Sequence, residues 1–344
     1  MNIGIIGCGG IADRRTIPEI IKSPNIKLVA IQDIQYSIVK NVAQKFNISS
    51  YYTNEEDLLK NKDIEAVYIA TPLYAHGLQL INAANHNKHV LCEKPLAFTI
   101  KETEEIINYF IKKDLTLQVG FMMRYHGYHI KAKEMLNHGE LGQSVMGRAQ
   151  LTCWYPPIKN AWRQDSQKGG GGALMDMAIH TVDLLRYFFG EVKAVTSFNG
   201  TQTHRYKVED SGVILLLFEN GAYGICDSFF NIPDEASKGI LEIYGTKGSL
   251  ISEGTISQVA GGKMFAYLSR FEKSYDAKQN RDSLKKIEIT APLKQMYRAE
   301  FEDFVNAIEN EKKPMNSGEE ALQDFKIIQA AYESQRKNKV IRLY

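Results

Sequence analysis

The first third of the chain alternates short apolar runs with longer amphipathic stretches. Continuous apolar runs of strand length are typical of the buried strands of a parallel sheet. We predict such strands at 2–7, 27–33, 48–52, 64–71, 88–92 and 115–121. Helices are predicted between them, the first to about residue 22 and others near 37–46, 75–86 and 99–113. This alternation predicts an α/β domain with one parallel sheet over residues 1–122.

After residue 122 the pattern changes to longer segments rich in strand formers. A helix is predicted near 128–138, followed by strands at 144–155, 192–199, 211–218, 222–229 and 239–244, with weaker ones up to 289. The hairpin signal Glu219-Asn220-Gly221 indicates antiparallel pairing. Charges of both signs over 270–286 predict a solvated loop, and amphipathic helices at about 295–311 and 317–336 close the chain. Residues 123–344 are therefore expected to form an α+β domain around a large, mostly antiparallel open sheet.

Composition and charge narrow the class of protein. The chain has 344 residues, 44% of them apolar and 24% charged, which is ordinary for a globular protein of about two domains. The net charge is +2 with lysine and arginine spread along the length, so neither a nucleic-acid partner nor an acidic membrane surface is predicted. A strand at the very start and no apolar run of membrane length predict a cytoplasmic protein. Four distant cysteines without a C-x-x-C pair indicate neither a zinc site nor a disulfide framework, and no metal is expected.

A glycine-rich turn follows the first predicted strand. Gly7-Cys8-Gly9-Gly10-Ile11-Ala12 has the pattern G-x-G-x-x-A and opens the first predicted helix. Gly7 allows the tight turn, Gly9 lets a pyrophosphate approach the backbone, and Ala12 keeps helix and strand close. The helix N-terminus then presents unpaired N–H groups to the phosphates. Strand, turn and helix in this order predict a Rossmann NAD(P)-binding domain.

The second strand ends at Asp33, where a carboxylate binds the adenosine ribose hydroxyls in such domains. Asp33 would repel a 2′-phosphate, and Ile34-Gln35 supply no arginine to receive one. We therefore expect NAD rather than NADP, the alternative being an aspartate of an ordinary β-turn.

Three residues at the end of the fifth strand, Glu93-Lys94-Pro95, place a lysine where open α/β sheets bind ligands. Thr71-Pro72 and His76 follow the fourth strand, over the expected cofactor groove. For His76, a helix-start residue that caps or faces solvent is an equal alternative. The expected cofactor-binding residues are Gly7, Gly9, Gly10, Ile11, Ala12, Asp33, Thr71, Pro72, His76, Glu93 and Lys94.

The second half contains a group of residues suited to proton transfer. Gly169-Gly170-Gly171-Gly172 precede an apolar helix and would allow close backbone approach to a ligand. Within that helix Asp176 and His180 are four residues apart and share a face, with Asp183 close to it. A histidine beside a carboxylate is a common general base, the alternative being a hydrogen-bonded core histidine.

Together these motifs resemble the Gfo/Idh/MocA oxidoreductase family over nearly the whole chain. The resemblance also includes Ala70-Thr71-Pro72, Gly120 with Arg124, Trp162-Arg163, the segment 171–180, Glu300-x-x-x-Phe304 and Ala330-Ala331-Tyr332-x-Ser334. It implies that Lys94, Asp176 and His180 are catalytic, that the Lys94-Pro95 bond is cis, and that a homodimer or homotetramer forms through the open sheet. Ala178 stands where the family usually has glycine, and 125–128 lack the proline that often follows Arg124.

The implied reaction is hydride transfer between the nicotinamide and a secondary alcohol of a sugar, inositol or related cyclic polyol. His180 would take the hydroxyl proton, Lys94 would stabilise the alkoxide, and Asp176 would orient His180 or a substrate hydroxyl. Candidate contacts to the substrate or nicotinamide are Arg124, Tyr155, Trp162 and Arg163. Two alternatives remain, a glycosidase that uses bound NAD as a transient oxidant and a non-catalytic ligand sensor or co-repressor. The presence of all three proposed catalytic residues favours an enzyme.

Overall fold

The computed structural model describes residues 1–269, 277 and 284–343. The chain forms two compact units, each described by itself below. The first comprises Met1–Met122, Gln167–Gly170 and Gln295–Phe325. The second comprises Met123–Ser166, Gly171–Lys294 and Lys326–Tyr344. From the sequence, all of 123–344 is expected to form the second domain, whereas Gln295–Phe325 packs in the same unit as the first sheet.

Residues 1–122, all of which are described, contain one parallel sheet. Its six strands are β1 (Asn2–Ile6), β2 (Lys27–Gln32), β3 (Ser50–Tyr52), β4 (Ala66–Ile69), β5 (His89–Cys92) and β6 (Leu117–Val119). Their order is β3-β2-β1-β4-β5-β6, and neighbouring strands are parallel, as predicted. The strand order reverses between β1 and β4, and ligands of such sheets bind at the carboxyl ends of the strands near this point.

Helices connect these strands. After the glycine-rich turn a π-helical segment (Ala12–Thr16) leads into α1 (Ile17–Ile20), followed by α2 (Tyr36–Phe46), α3 (Glu55–Leu59), α4 (Leu73–Asn85) and α5 (Ile100–Lys112). The short α3 is not predicted from the sequence. It begins where the Asn54 side chain accepts a hydrogen bond from the Glu56 N–H, a capping contact that supports even a five-residue helix.

The described part of the second unit contains a sheet of nine strands. A 3-10 turn (Met122–Tyr125) and α6 (Gly127–Asn137) precede β7 (Ser144–Thr152). A 3-10 turn (Trp162–Gln164), α7 (Ser166–Gly169), a π-helical segment (Leu174–Ala178) and α8 (Ile179–Phe189) follow. The next strands are β8 (Val192–Gly200), β9 (Ser211–Phe218), β10 (Tyr223–Phe229), β11 (Leu241–Gly245), β12 (Gly248–Glu253), β13 (Lys263–Leu268) and β14 (Lys285–Glu288), with a 3-10 turn (Asp234–Ala236) before β11. Helix α9 (Met296–Glu309) belongs to the first unit, and α10 (Gly318–Lys337) begins in the first unit and ends in the second, before β15 (Ile341–Arg342).

The strand order of this sheet is β14-β13-β12-β11-β7-β10-β9-β8-β15. Its described pairs are antiparallel except β7 with β10, which are parallel, so the sheet is mixed and mostly antiparallel. The predicted loop over 270–286 falls mainly outside the described residues. Its last two residues are an exception, because Lys285 and Lys286 belong to β14. The short strand β15 is also not predicted from the sequence.

Each unit has its own core. In the first, Phe301 and Phe304 of α9 join the buried residues of the sheet, and the Phe301 ring meets Tyr68 of β4 edge-on at 5.1 Å between centroids. In the second, Gly147 of β7 lets the sheet approach α8, because an added Cβ would overlap Phe189. Phe198, Leu215 and Tyr223 share the other face of that sheet, and all three are exposed. None of the helices in the described ranges combines the length and apolarity needed to cross a bilayer.

Candidate active site

The turn after β1 has the shape that a pyrophosphate needs. Gly7 has a positive φ of 92°, and an added Cβ there would lie 2.7 Å from Thr71 Cγ2. A Cβ added to Gly9 would point into open space, because no described heavy atom beyond its chain neighbours lies within 4 Å of that position. Ala12 is fully buried where the helix meets the sheet. The backbone is therefore accessible at Gly9 and closely packed at Gly7 and Ala12, which fits a bound dinucleotide.

Asp33 lies directly after β2, beside this turn. Its Oδ2 accepts a hydrogen bond from the Cys8 N–H at 3.0 Å, and its Oδ1 accepts one from the Gln35 N–H at 2.9 Å. Two backbone donors from different segments thus hold the carboxylate in place. Ile34 and Tyr36 next to it are 79% and 56% exposed and form an apolar surface beside the carboxylate. This combination fits the ribose and adenine of a dinucleotide.

The Glu93-Lys94-Pro95 turn follows β5 at the same edge of the sheet. The Lys94-Pro95 bond is cis, which confirms the expectation. Glu93 Oε1 accepts a hydrogen bond from the Tyr68 hydroxyl at 2.6 Å, and burial together with the Glu93 charge raises the pKa of Tyr68. A Cβ added to Gly120 would lie 3.3 Å from the Glu93 carboxyl group. Glu93 is therefore fixed by β4 and β6, and it anchors the turn that carries the half-buried Lys94.

His76 is not a helix-start residue that faces solvent, which is one of the two roles that the sequence suggests. It is 1% exposed, with Nδ1 2.8 Å from the Pro95 carbonyl oxygen and Nε2 2.8 Å from the Thr71 carbonyl oxygen. Burial lowers its pKa. His76 therefore links the segment after β4 to the segment after β5 through its two ring nitrogens, and its contact with a cofactor stays a prediction.

The helix with Asp176 and His180 belongs to the second unit and is not one regular α-helix. Asp176 lies in the π-helical segment and His180 in α8, and the Ile179 N–H bonds to the Leu174 carbonyl oxygen five residues back. Such a turn holds more than four residues, so residues four apart stay on about the same side. His180 is 8% exposed, whereas Asp176 is half-buried.

Several predicted substrate contacts meet at Asp176. Arg163 Nε lies 3.2 Å from Asp176 Oδ1, and the Arg163 guanidinium lies over the Trp162 ring at 4.2 Å. Tyr155 is close to the charges of Arg163 and Asp176. Burial raises the pKa of Tyr155, and the Arg163 charge opposes this rise. The second unit therefore brings Tyr155, Trp162 and Arg163 together around one catalytic candidate.

Arg124, by contrast, is turned into the protein. Its Nε and Nη2 both lie 2.8 Å from Asp183 Oδ1, and the two side chains are 5% and 1% exposed. The guanidinium also faces the Tyr187 ring at 5.5 Å. This buried ion pair joins the segment before α6 to α8, and the substrate contact of Arg124 stays a prediction.

Two of the four glycines before the segment with Asp176 pack closely against other parts of the protein. A Cβ on Gly171 would overlap the Tyr332 hydroxyl, and a Cβ on Gly172 would overlap the Glu209 carbonyl oxygen. These two glycines therefore allow close packing within the protein. Nothing in the spacing of the sequence indicated Glu209 or Tyr332 as their partners.

Comparison with known proteins identifies the family. Residues 1–121 match the NAD-binding Rossmann fold of the Gfo/Idh/MocA oxidoreductase family, and residues 133–343 match its C-terminal alpha/beta domain. The chain belongs to this family. The expected fold and the resemblance are thus confirmed, and the first unit carries the family's NAD-binding domain.

Individual relatives agree with this assignment. The chain is 33% identical over 291 residues to the uncharacterized oxidoreductase YrbE of Bacillus subtilis, covering 79% of this chain and 82% of the relative. It is 25% identical over 360 residues to a myo-inositol 2-dehydrogenase of Thermotoga maritima, covering 100% and 98%. The crystal structure of an aldose–aldose oxidoreductase from Caulobacter crescentus with glycerol superimposes with a TM-score of 0.89 at 25% identity, covering 100% and 99%.

In this family member, two further side chains surround the Asp176 group without any sequence signal. The Tyr206 hydroxyl donates to the Tyr155 carbonyl oxygen at 3.1 Å. Cys153 lies 3.7 Å from the Met177 sulfur, and burial raises its pKa to about 12, so the thiol stays protonated. Both pack with Tyr155 against Met177. Cys153 follows β7 and Tyr206 lies between β8 and β9, so contacts over long sequence distances bring them together, which local patterns do not report.

Proposed function

We propose that this protein is an NAD-dependent dehydrogenase that oxidises a secondary alcohol of a sugar, inositol or related cyclic polyol. The observation that carries the proposal is the presence of Lys94, Asp176 and His180 in a chain that belongs to the oxidoreductase family. Relatives named for myo-inositol and aldose substrates support this substrate class.

Bound nicotinamide supplies the hydride acceptor. In the proposed reaction His180 accepts the proton of the substrate hydroxyl, a role suited to an imidazole on a buried, rigid helix. The ammonium of Lys94 stabilises the negative charge that develops on the oxygen, and the anchored Glu93 turn limits its movement. Asp176 binds a neighbouring substrate hydroxyl together with Arg163, and Tyr155 and Trp162 complete the surface around it.

The roles of Lys94 and His180 are tested by replacing each with alanine. Each loss of a proton-transfer or charge-stabilising group should lower kcat about 10²-fold or more. The assay measures NADH formation from a panel of sugars and inositols. Near-normal turnover in both variants contradicts the proposed roles, and sugar hydrolysis without net NADH identifies the redox glycosidase instead.

The preference for NAD is a separate proposal and rests on Asp33. Its fixed carboxylate would bind the ribose hydroxyls of NAD and repel the 2′-phosphate of NADP. Hydrogen bonds to a charged group contribute about 1.5–3 kcal/mol, so Asp33→Ala should raise the KM for NAD about 10- to 10²-fold. A wild-type kcat/KM that is higher with NADP than with NAD contradicts this assignment.

The open face of the second sheet is the proposed contact surface for a second copy of the chain. Phe198, Leu215 and Tyr223 on this face are 72%, 45% and 61% exposed, so one face of the sheet presents three large apolar side chains together. Sedimentation should give a dimer or tetramer for the wild type and a smaller species for Leu215→Glu. A monomeric wild type contradicts this surface assignment.

A further inference from the structure

One residue satisfies three consecutive backbone donors at the start of the segment that carries Asp176 and His180. Glu209 Oε1 accepts hydrogen bonds from the N–H groups of Gly172 at 2.9 Å and Leu174 at 3.0 Å. The carbonyl oxygen of the same Glu209 accepts one from the Ala173 N–H at 3.0 Å. The first N–H groups of a helix have no partner within it, and here the partner is a residue that follows it by more than thirty positions.

A second residue fixes Glu209 in turn. The Tyr332 hydroxyl donates to Glu209 Oε1 at 2.8 Å from helix α10. Burial raises the pKa of Glu209, while the bonds from Tyr332, Leu174 and Gly172 favour its charged form. Gly171 and Gly172 lack the Cβ atoms that would overlap Tyr332 and the Glu209 backbone. The contact is thus closely packed on both sides and allows little movement.

The chain geometry connects this contact to the proposed catalytic groups. The Asp176 N–H bonds to the Gly172 carbonyl oxygen at 2.9 Å, and the π-helical segment starts at Leu174. Asp176 lies two residues beyond the last amide that Glu209 binds, and His180 lies in the next turn. Release of the first turn would therefore shift both side chains, and single π-helical turns of this kind are frequent at functional sites.

We propose that Glu209 and Tyr332 are positioning residues that hold Asp176 and His180 in their working geometry. The inference rests on the proposed function in so far as it assigns catalysis to those two residues. A negative carboxylate at a helix N-terminus is also electrostatically favourable, which gives glutamate an advantage over a neutral acceptor.

The test compares Tyr332→Phe, Glu209→Gln and Glu209→Ala with the wild type. Glu209→Ala should lower kcat about 10²-fold, the effect of misplacing catalytic groups by about 1 Å, with the KM for NAD unchanged. Glu209→Gln keeps an acceptor oxygen and should recover most of that loss, and Tyr332→Phe should lower kcat about threefold to tenfold. Leu250→Ala is the control, because Leu250 is fully buried in β12 and its truncation lowers stability without touching this segment.

Two readouts separate positioning from stability and from the proposed function. If Glu209 has a merely structural role, Glu209→Ala and Leu250→Ala should lower Tm by similar amounts. The folded fraction of both variants should then have the kcat of the wild type. That result would overturn the inference. Hydrogen exchange of the 172–174 amides should accelerate in Glu209→Ala and Tyr332→Phe, and unchanged exchange also overturns it. If exchange accelerates while His180→Ala remains fully active, the anchor stands and the proposed catalytic role of His180 fails.

Discussion

His126 and His129 form a buried pair at the start of α6, and their environment makes the second unit sensitive to acid. Both side chains are 0% exposed, and their ring centroids are 4.8 Å apart. The ring nitrogens of His126 face the N–H groups of Tyr128 and Gly261 at 3.2 and 3.3 Å. Burial lowers the pKa of His126 to about 4; burial and then the His126 charge lower the pKa of His129 to about 3.

The sign and size of the effect follow from proton linkage. An unfolded histidine titrates near pH 6.5, so below this pH the unfolded state binds more protons than the folded state. The free energy of unfolding is therefore highest above about pH 6.5 and falls as pH decreases toward the two folded pKa values. Each histidine should make the free energy of unfolding about 2 kcal/mol lower at pH 5 than at pH 7.5, which gives about 4 kcal/mol for the pair.

The measurement is urea unfolding at pH 7.5 and pH 5.0, followed by tryptophan fluorescence. Both tryptophans of the chain, Trp154 and Trp162, lie in the second unit, so the signal reports on that unit. His126→Asn keeps an acceptor for the Tyr128 N–H at the N-cap of α6 and removes the titrating group. Between pH 7.5 and pH 5.0, this variant should lose about 2 kcal/mol less free energy of unfolding than the wild type does. The double variant with His129→Gln should lose little of it.

His138 provides the matched control, because it lies exposed at the other end of the same helix. His138→Asn tests whether replacing any histidine of this helix reduces the fall in the free energy of unfolding between pH 7.5 and pH 5.0. The explanation is refuted if His126→Asn loses as much free energy of unfolding between pH 7.5 and pH 5.0 as the wild type does.

Two further predictions concern buried polar pairs. Arg124→Leu removes the ion-pair partner of a buried carboxylate and should lower the free energy of unfolding by about 3–5 kcal/mol. In the double variant with Asp183→Leu, this free energy should fall by less than the sum of the two single effects. Strict additivity in urea unfolding would argue against the pair. Tyr68→Phe removes the hydroxyl that donates to Glu93 and should cost about 1–3 kcal/mol, so an unchanged urea midpoint would contradict the importance of this bond.

Much of the first unit is predictable because its signals are local. A buried parallel strand is recognised from a few consecutive apolar residues, and the Gly7–Ala12 turn follows such a strand directly. The positions of Asp33 and Lys94 follow from the same rule, since each comes at the carboxyl end of a predicted strand. The six-stranded sheet of residues 1–122 therefore agrees with the prediction, with strand ends shifted by at most two residues.

The sequence by itself determined the two-part organisation, the parallel sheet and the identity of the proposed catalytic side chains. Only the tertiary structure decided that α9 packs with the first sheet, that Arg124 pairs with Asp183, and that Glu209 and Tyr332 hold the Asp176 segment. Glu209 and Tyr332 are 123 residues apart in the chain. Hydrophobic periodicity reports which face of an element is buried but not which distant residue meets it, because that choice depends on how all the elements pack together.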